Sequence, residues 1–536
     1  MPGRRPARLA RLIPLREKDD EPAAGVPTIR RVDITEAVMS HKEHSALNRR
    51  QFLARFGAGT VALVAGFDLI ARQWVPEAAA AENSAFATVP PLDGTLVFDA
   101  ASLAANAHDQ GNIVFLRPCA VLRPGSVQDI RKMVGFCADH GIEVAPAGAH
   151  HAMFGQPLVS GGLVIEMRSL DTIHSIGTDG ADVDAGVLWQ DLIEAAYERG
   201  LTPASVTSYL GTTVGGTLSM GGIGMMSAYR AGAQVDHADR LQVVTGDGRL
   251  RWCSGTQDTD LFEAALAGLG QCGVITRATV DLVPAKRLAR TYRIGYQDIP
   301  TFFRDVRVLA NRGEFDSLGS IPQPGTAQPL TLWATVFHNP GDAPDTSHLL
   351  RGLSPAAATA AFEDSPYLDY ISLVTTMYDS FAANLDWDAK VKPWSDLFLP
   401  DDAVEEYVAS VFSSLTAQDL GPTGFGLIFP MLRSSYRRPL LRLPSDAGGP
   451  WVWLVSVLTD AARSGPDPDF AARMMDRNYR FYQDAAAVGG VRYPHGACAF
   501  TAADWRAHYG SMWPRFSEWK QRYDPCGILT PGPGIF

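Results

Sequence analysis

The chain is poor in the features that mark several large protein classes. Its six cysteines (Cys119, Cys137, Cys253, Cys272, Cys498 and Cys526) are scattered, with no Cys-x-x-Cys and no metal-ligand spacing. Neither a zinc site nor a disulfide scaffold is indicated, and the cysteines read as small buried hydrophobes. There is no basic stripe interleaved with aromatics, and 47 Lys and Arg stand against 58 Asp and Glu, a net charge of −11. Nucleic acid needs a positive footprint, so that partner class is excluded. Internal repeats and long low-complexity tracts are missing too. Neither glycine-rich loop, at 147–156 or at 213–222, fits the Gly-x-Gly-x-x-Gly pattern with an acidic residue roughly twenty positions on, the nucleotide fingerprint of doubly wound folds. What remains is an ordinary globular composition, 46% hydrophobic and 20% charged over 536 residues. That is too long for one core and suggests two or three domains.

Glycine is where the chain is rich. Two segments hold it at high density: Ala147-Gly148-Ala149-His150-His151-Ala152-Met153-Phe154-Gly155-Gln156 and Thr213-Val214-Gly215-Gly216-Thr217-Leu218-Ser219-Met220-Gly221-Gly222. Without a Cβ, glycine lets backbone approach a ligand closely, and successive free N–H groups make a concavity for phosphate oxygens. The histidine pair in the first segment adds side chains able to bond to the ligand. A phosphate cradle joined to a bonding imidazole points to a flavin.

Regular elements begin after a polar linker at 83–93. Ser126 caps an expected helix to about His140, with Ile130, Met133, Val134 and Cys137 on one face and Gly141 beyond it. Positions 142–146 read as a buried strand leading into the first glycine loop, and 163–167 as another. A helix at 189–199, a hairpin at 241–245 and 250–253 around Asp247-Gly248, a helix from Asp258 and a strand at 273–280 follow. Strands alternating with helices up to about Pro284 predict an α+β domain. From Arg290 onward, strands at 330–337, 424–430 and 451–457 with helices at 403–414 and 469–487 predict an antiparallel sheet with helices on one side.

The N-terminal region carries an address. Asn48-Arg49-Arg50-Gln51-Phe52-Leu53 has a twin arginine, a weakly apolar stretch runs over 57–71, and the small-residue run Ala78-Ala79-Ala80-Ala81 follows. The apolar stretch is short and contains Asp68, so it reads as a signal peptide at 48–82 and not as a spanning helix. Low hydrophobicity and Arg72 favour the twin-arginine route. The expectation is export to the periplasm or beyond, with no integral membrane segment in the mature form. Residues 1–47 form an oddly long leader, and Met39 is the expected true start.

Together the motifs resemble the flavoenzyme superfamily of vanillyl-alcohol oxidase and para-cresol methylhydroxylase, most closely cytokinin dehydrogenases. The resemblance runs from about Leu96 to the C-terminus, through the two glycine segments, Gly268-Leu269-Gly270-Gln271-Cys272-Gly273-Val274-Ile275-Thr276, Pro393-Trp394-Ser395-Asp396-Leu397-Phe398-Leu399-Pro400 and the closing Tyr523-Asp524-Pro525. It implies an α+β fold: a two-part FAD-binding domain (95–288 with 491–536) into which a substrate domain of antiparallel sheet and helices (289–490) is inserted. It implies FAD held by Gly148, Ala149, His150, His151, Gly155, Gln156, Thr213, Gly215, Gly216, Ser219, Gly222, Val274 and Ile275, with a covalent bond at His151. Matching through Gly155-Gln156 selects His151, with His150 one register away.

One departure stands out. The family has an aspartate shortly before Thr-Val-Gly-Gly as proton acceptor, and here Ser208 occupies that position. Serine has no useful basicity near neutral pH. Beside Ser208, the candidates for catalytic work are His495 and Tyr229, then His237; Asp236 reads as a surface carboxylate. The expected activity is hydride transfer from a C–H next to oxygen or nitrogen, with a small-molecule substrate and dioxygen or a quinone as electron acceptor. Alternatives are oxidation of a sugar, lactone or sterol alcohol, or flavin binding without turnover.

Overall fold

Among the described residues, parallel strand pairing is confined to one small sheet, and the chain's chemistry gathers at its edge. In the computed structural model, which describes residues 64–69, 71–76, 86–227, 229–322, 330–445 and 448–536, this sheet runs Thr95–Val97, Ala120–Arg123, Leu163–Glu166, Val144–Ala147. Ala120–Arg123 and Val144–Ala147 both lie parallel to Leu163–Glu166. The connection between them is the helix Val127–His140, which starts after Ser126 and stops at Gly141 in the left-handed region, φ 60°. Its buried face holds Ile130, Met133, Val134 and Cys137. The period of the apolar residues thus sets the crossover, and the crossover delivers Val144–Ala147 to the first glycine segment. The far end of the chain returns to the same edge: the Val144 N–H donates to the Ile528 carbonyl and the Thr530 N–H to the Val144 carbonyl, each at 2.8 Å.

A second sheet runs Leu250–Ser254, Ala238–Val244, Val274–Pro284, Gly180–Asp184, Ile173–Ile176, with Leu201–Pro203 also paired to Val274–Pro284. The hairpin expected at Asp247-Gly248 is its outer pair.

The third sheet is eight-stranded and antiparallel throughout: Ala361–Pro366, Leu288–Tyr296, Leu330–His338, Ser317–Ser320, Phe425–Leu432, Trp451–Leu458, Ser395–Pro400, Val491–Arg492. Trp451–Leu458 is buried at every position, which explains its unbroken apolar sequence. Helices Ile299–Arg312, Val404–Ser414 and Pro468–Ala487 pack together in this region.

Two local readings change. The second glycine segment is a short helix, Val214–Met220, whose cap Thr213 accepts the Gly216 N–H through its hydroxyl. Gly215 and Gly216 sit in its first turn because tertiary packing outweighs their poor helix propensity. In the expected signal segment, Val64–Asp68 and Gln73–Pro76 are antiparallel strands. Phe67 and Trp74 are buried, and the Trp74 ring stacks 6.0 Å from that of Phe136 on the crossover helix. The twin-arginine motif at 48–53 and the alanine run at 78–81 lie outside the described residues. Among the described residues no helix is long and apolar enough to cross a membrane.

Candidate active site

The first glycine segment leaves Val144–Ala147 with its backbone N–H groups unspent. Among the described residues no acceptor takes those of Ala149, His150, His151 or Ala152, and His150 has φ 54°. Consecutive free donors around a left-handed residue form the concave nest that binds phosphate oxygens. The loop is pinned at both flanks. Asp109 accepts the Gly111 and Gly155 N–H groups at 3.1 and 2.5 Å, and burial pushes its carboxyl up to about 7. Gln156 accepts the Phe154 N–H and donates to the Pro494 carbonyl at 2.7 Å.

This nest opens on a large cavity between the sheets, and most of the predicted ligand residues line it: Gly148, Ala149, His150, His151 and Gln156 from the first segment; Thr213, Gly215, Gly216, Ser219 and Gly222 from the second; and Val274 with Ile275. Gly155 is a correction. It lies off the cavity wall, its N–H held by Asp109 and its φ of 81° serving the turn. Gly215 and Gly222 also have a packing duty: a Cβ on them would come within 2.7 Å of the Ala185 Cβ and 2.3 Å of Gln234 Oε1.

The two histidines differ. His150 is half-buried, its Nδ1 shielded from solvent and without a partner among the described residues, and desolvation pulls its pKa down to about 4. His151 faces aromatics, its ring centroid 4.6 Å from Tyr209, 5.9 Å from Trp394 and 5.6 Å from His495. Burial, then the neighbouring His495 and Lys392, holds its pKa well below the ordinary value. Burial thus favours the neutral form of its ring.

Of the catalytic candidates, Ser208 and His495 line the cavity and Tyr229 does not. The Tyr229 hydroxyl donates to the Ala310 carbonyl at 3.0 Å, and its ring stacks on Trp451. That is a structural tyrosine. His237 is likewise engaged elsewhere, with Asp281 and the Ala231 carbonyl. Asp236 is buried and accepts the Arg437 N–H, so it is no surface group. Ser208 Oγ accepts the Met225 N–H at 3.0 Å.

Asp396 is the residue that sequence reasoning missed. It sits on Ser395–Pro400, accepts the Ser456 hydroxyl at 2.5 Å on Oδ1, and faces His495 Nδ1 at 3.0 Å with Oδ2. His495 Nε2 lies 3.1 Å from the His151 carbonyl. A line of contacts therefore runs from the eight-stranded sheet into the first glycine loop. Its only sequence signal was membership of the 393–400 block. Beyond it the wall turns apolar, with Val374, Leu427, Phe429, Leu454 and Leu458 beside Trp394 and Tyr378. One end of the cavity thus suits a phosphorylated group, and the other a neutral, largely apolar molecule.

Residues 118–254 match the family described as "FAD binding domain", and residues 333–536 the family described as "Cytokinin dehydrogenase 1, FAD and cytokinin binding". The chain is 34% identical over 445 residues to an uncharacterized oxidoreductase, ORF5 of the fasciation locus of Rhodococcoides fascians, covering 82% of this chain and 99% of that protein. It is 31% identical over 490 residues to cytokinin dehydrogenase 4 of Oryza sativa subsp. japonica, covering 83% of this chain and 90% of that enzyme. With cytokinin dehydrogenase 1 of Arabidopsis thaliana it shares 30% over 490 residues, 83% of each. On these grounds the chain belongs to the cytokinin dehydrogenase family of FAD-dependent oxidoreductases.

Proposed function

We propose that the chain holds FAD covalently through His151 and oxidises a neutral, largely apolar substrate at a C–H next to nitrogen or oxygen, passing electrons on to dioxygen or a quinone. The observation that carries this reading is the position of the His151 ring. It stands on the wall of a cavity lined both by the glycine loop, whose N–H groups at 149–152 have no acceptor among the described residues, and by apolar side chains, and burial holds its pKa well below the ordinary value. The residues fit the group: Ala149 to Ala152 offer donors for the diphosphate, and Gly148 and Gly216 leave room for close approach. Bound flavin supplies a hydride acceptor. The protein's part is to seat the substrate against it, exclude water with Trp394, Tyr378 and Phe429, and keep the loop in register.

Ser208 stands where the resemblance places a carboxylate, so proton removal by the family's usual route is not available to this chain. That supports a substrate differing from the family's usual amine, an alcohol included, and keeps flavin binding without turnover as the second reading. Apolar side chains on the substrate wall favour a lipid-like or sterol alcohol over a sugar. The domain arrangement we propose, 289–490 inserted between 95–288 and 491–536, is supported by the eight-stranded sheet, whose strands all come from 288–492, and by the pairing of Leu529 with Val144. Export by the twin-arginine route rests on the sequence at 48–82.

Acid precipitation tests the tether. Flavin absorbance that stays with the pellet supports it; colour that moves wholly to the supernatant removes it. Anaerobic bleaching by members of an alcohol and amine panel, against indifference to all of them, separates an oxidoreductase at work from a binding protein.

A further inference from the structure

His495 has both ring nitrogens committed to acceptors, a carboxylate oxygen of Asp396 and the His151 carbonyl. The Ser456 hydroxyl on the other Asp396 oxygen fixes that carboxyl in turn. A ring engaged by the protein at both nitrogens is held in one orientation. What it does is tie the loop down. The segment that carries it is itself fixed to the Asp396 strand, the Tyr493 N–H donating to the Asp396 carbonyl and the Ala497 N–H to the Trp394 carbonyl.

We propose that Asp396 and His495 form a clamp that positions His151 for attachment to the flavin, His495 gripping the His151 carbonyl and Asp396 fixing the orientation of the His495 ring. The proposal rests on the tether reading above. In attachment, a C–H bond of the flavin 8α-methyl group breaks and a bond from a His151 ring nitrogen to that carbon forms. Two protons leave to solvent, and two electrons are left for dioxygen to remove. The attacking nitrogen needs its lone pair, so His151 must be unprotonated. Burial, the largest cause of its lowered pKa, disfavours a positive charge there. The carbonyl contact sets the backbone and therefore the direction of the ring. His495 and Asp396 are positioning residues: they act through the His151 backbone and not on the bonds that change.

The test uses the full chain, produced under riboflavin limitation and then supplied with FAD. The covalent fraction is read by acid precipitation over time, beside non-covalent affinity by flavin fluorescence and the melting temperature. Asp396→Asn and His495→Gln slow attachment about tenfold or more, the rate equivalent of a charged hydrogen bond, while affinity and melting change little. The glutamine can keep a donor for the His151 carbonyl while losing the ring held by Asp396, so it separates the grip from the support behind it. The groups facing His151 are His495, Lys392, Tyr209 and Tyr378, with His150 adjoining and Asp396 behind His495. Ser456→Ala removes only the supporting hydroxyl; it guards against misfolding and slows attachment by a smaller factor. Attachment at the unmodified rate in all three variants overturns the clamp alone. Flavin released by acid from the unmodified chain overturns the tether and the clamp together.

Discussion

A Cβ placed on Gly148 would lie 2.2 Å from the Thr213 hydroxyl oxygen. The two glycine-rich segments meet at this point, and the same hydroxyl accepts the Gly216 N–H at the start of the second. Any side chain at 148 therefore pushes the nest away from the helix Val214–Met220 or breaks its cap. Gly148→Ala is expected to weaken non-covalent FAD binding at least about tenfold and to cost about 1–3 kcal/mol in urea unfolding, the range for overpacking. Gly135, in the crossover helix with open space around it, is the control. Gly135→Ala leaves FAD binding alone and adds roughly 0.5–1 kcal/mol.

His150 and His151 are separated by where their rings face. His151 looks into the aromatic cluster of Tyr209, Tyr378 and Trp394, while His150 has a positive φ and an unpartnered Nδ1. His151→Ala is expected to release all flavin on acid precipitation while still binding FAD reversibly. His150→Ala keeps the covalent bond. The reverse pattern moves the tether by one residue.

How far the sequence discloses this arrangement depends on the distance over which a feature is encoded. The helix Val127–His140 is legible because its cap, apolar period and terminating Gly141 are all local. Both glycine segments are legible as ligand backbone for the same reason. The helical form of the second is not: two glycines in its first turn argue against a helix, and the reason they are tolerated, the approach of Ala185, comes from a distant segment. Asp396 and His495 are 99 residues apart, and no local pattern links them. Asp109 lies in a stretch with no periodicity, so its hold on the Gly155 N–H appears only in three dimensions. Tyr229 failed as a candidate because a tyrosine near a ligand loop has the same local appearance whether its hydroxyl faces a cavity or, as here, a backbone carbonyl.

Tyr229→Phe provides a direct check on that correction. It removes one buried hydrogen bond to the Ala310 carbonyl and nothing from the cavity wall. The expected result is a loss of about 1 kcal/mol in unfolding free energy, with flavin content and covalent fraction unchanged. A fall in flavin content returns Tyr229 to the site.

Ser208 invites the opposite experiment, a gain of function. Its Oγ accepts the Met225 N–H while lining the cavity, and a carboxylate can accept the same bond with its second oxygen turned to the substrate. Ser208→Asp is expected to raise kcat/KM toward a secondary-amine cytokinin by about 10²-fold, the lower range of what a positioned base contributes. No gain in a variant that still holds flavin covalently means that proton removal does not limit the rate.

His150 makes the stability of the apoprotein sensitive to acid. In the folded chain burial lowers its pKa from 6.5 to about 4, so between those values the unfolded state binds more protons than the folded one. Stability from this group is fully present above about pH 6.5 and drains away as pH falls toward about 4. At about 1.4 kcal/mol per pKa unit the total is on the order of 3 kcal/mol. His150→Asn removes the titration while keeping a residue that tolerates the left-handed backbone found there. Urea unfolding of the two apoproteins at pH 7 and pH 5 isolates the effect, because His508 and His151, also held neutral by burial, are common to both. The variant is expected to lose less stability on acidification than the unmodified chain. Equal losses mean that the His150 side chain is solvated in the apoprotein and that its nest is not closed until the cofactor arrives.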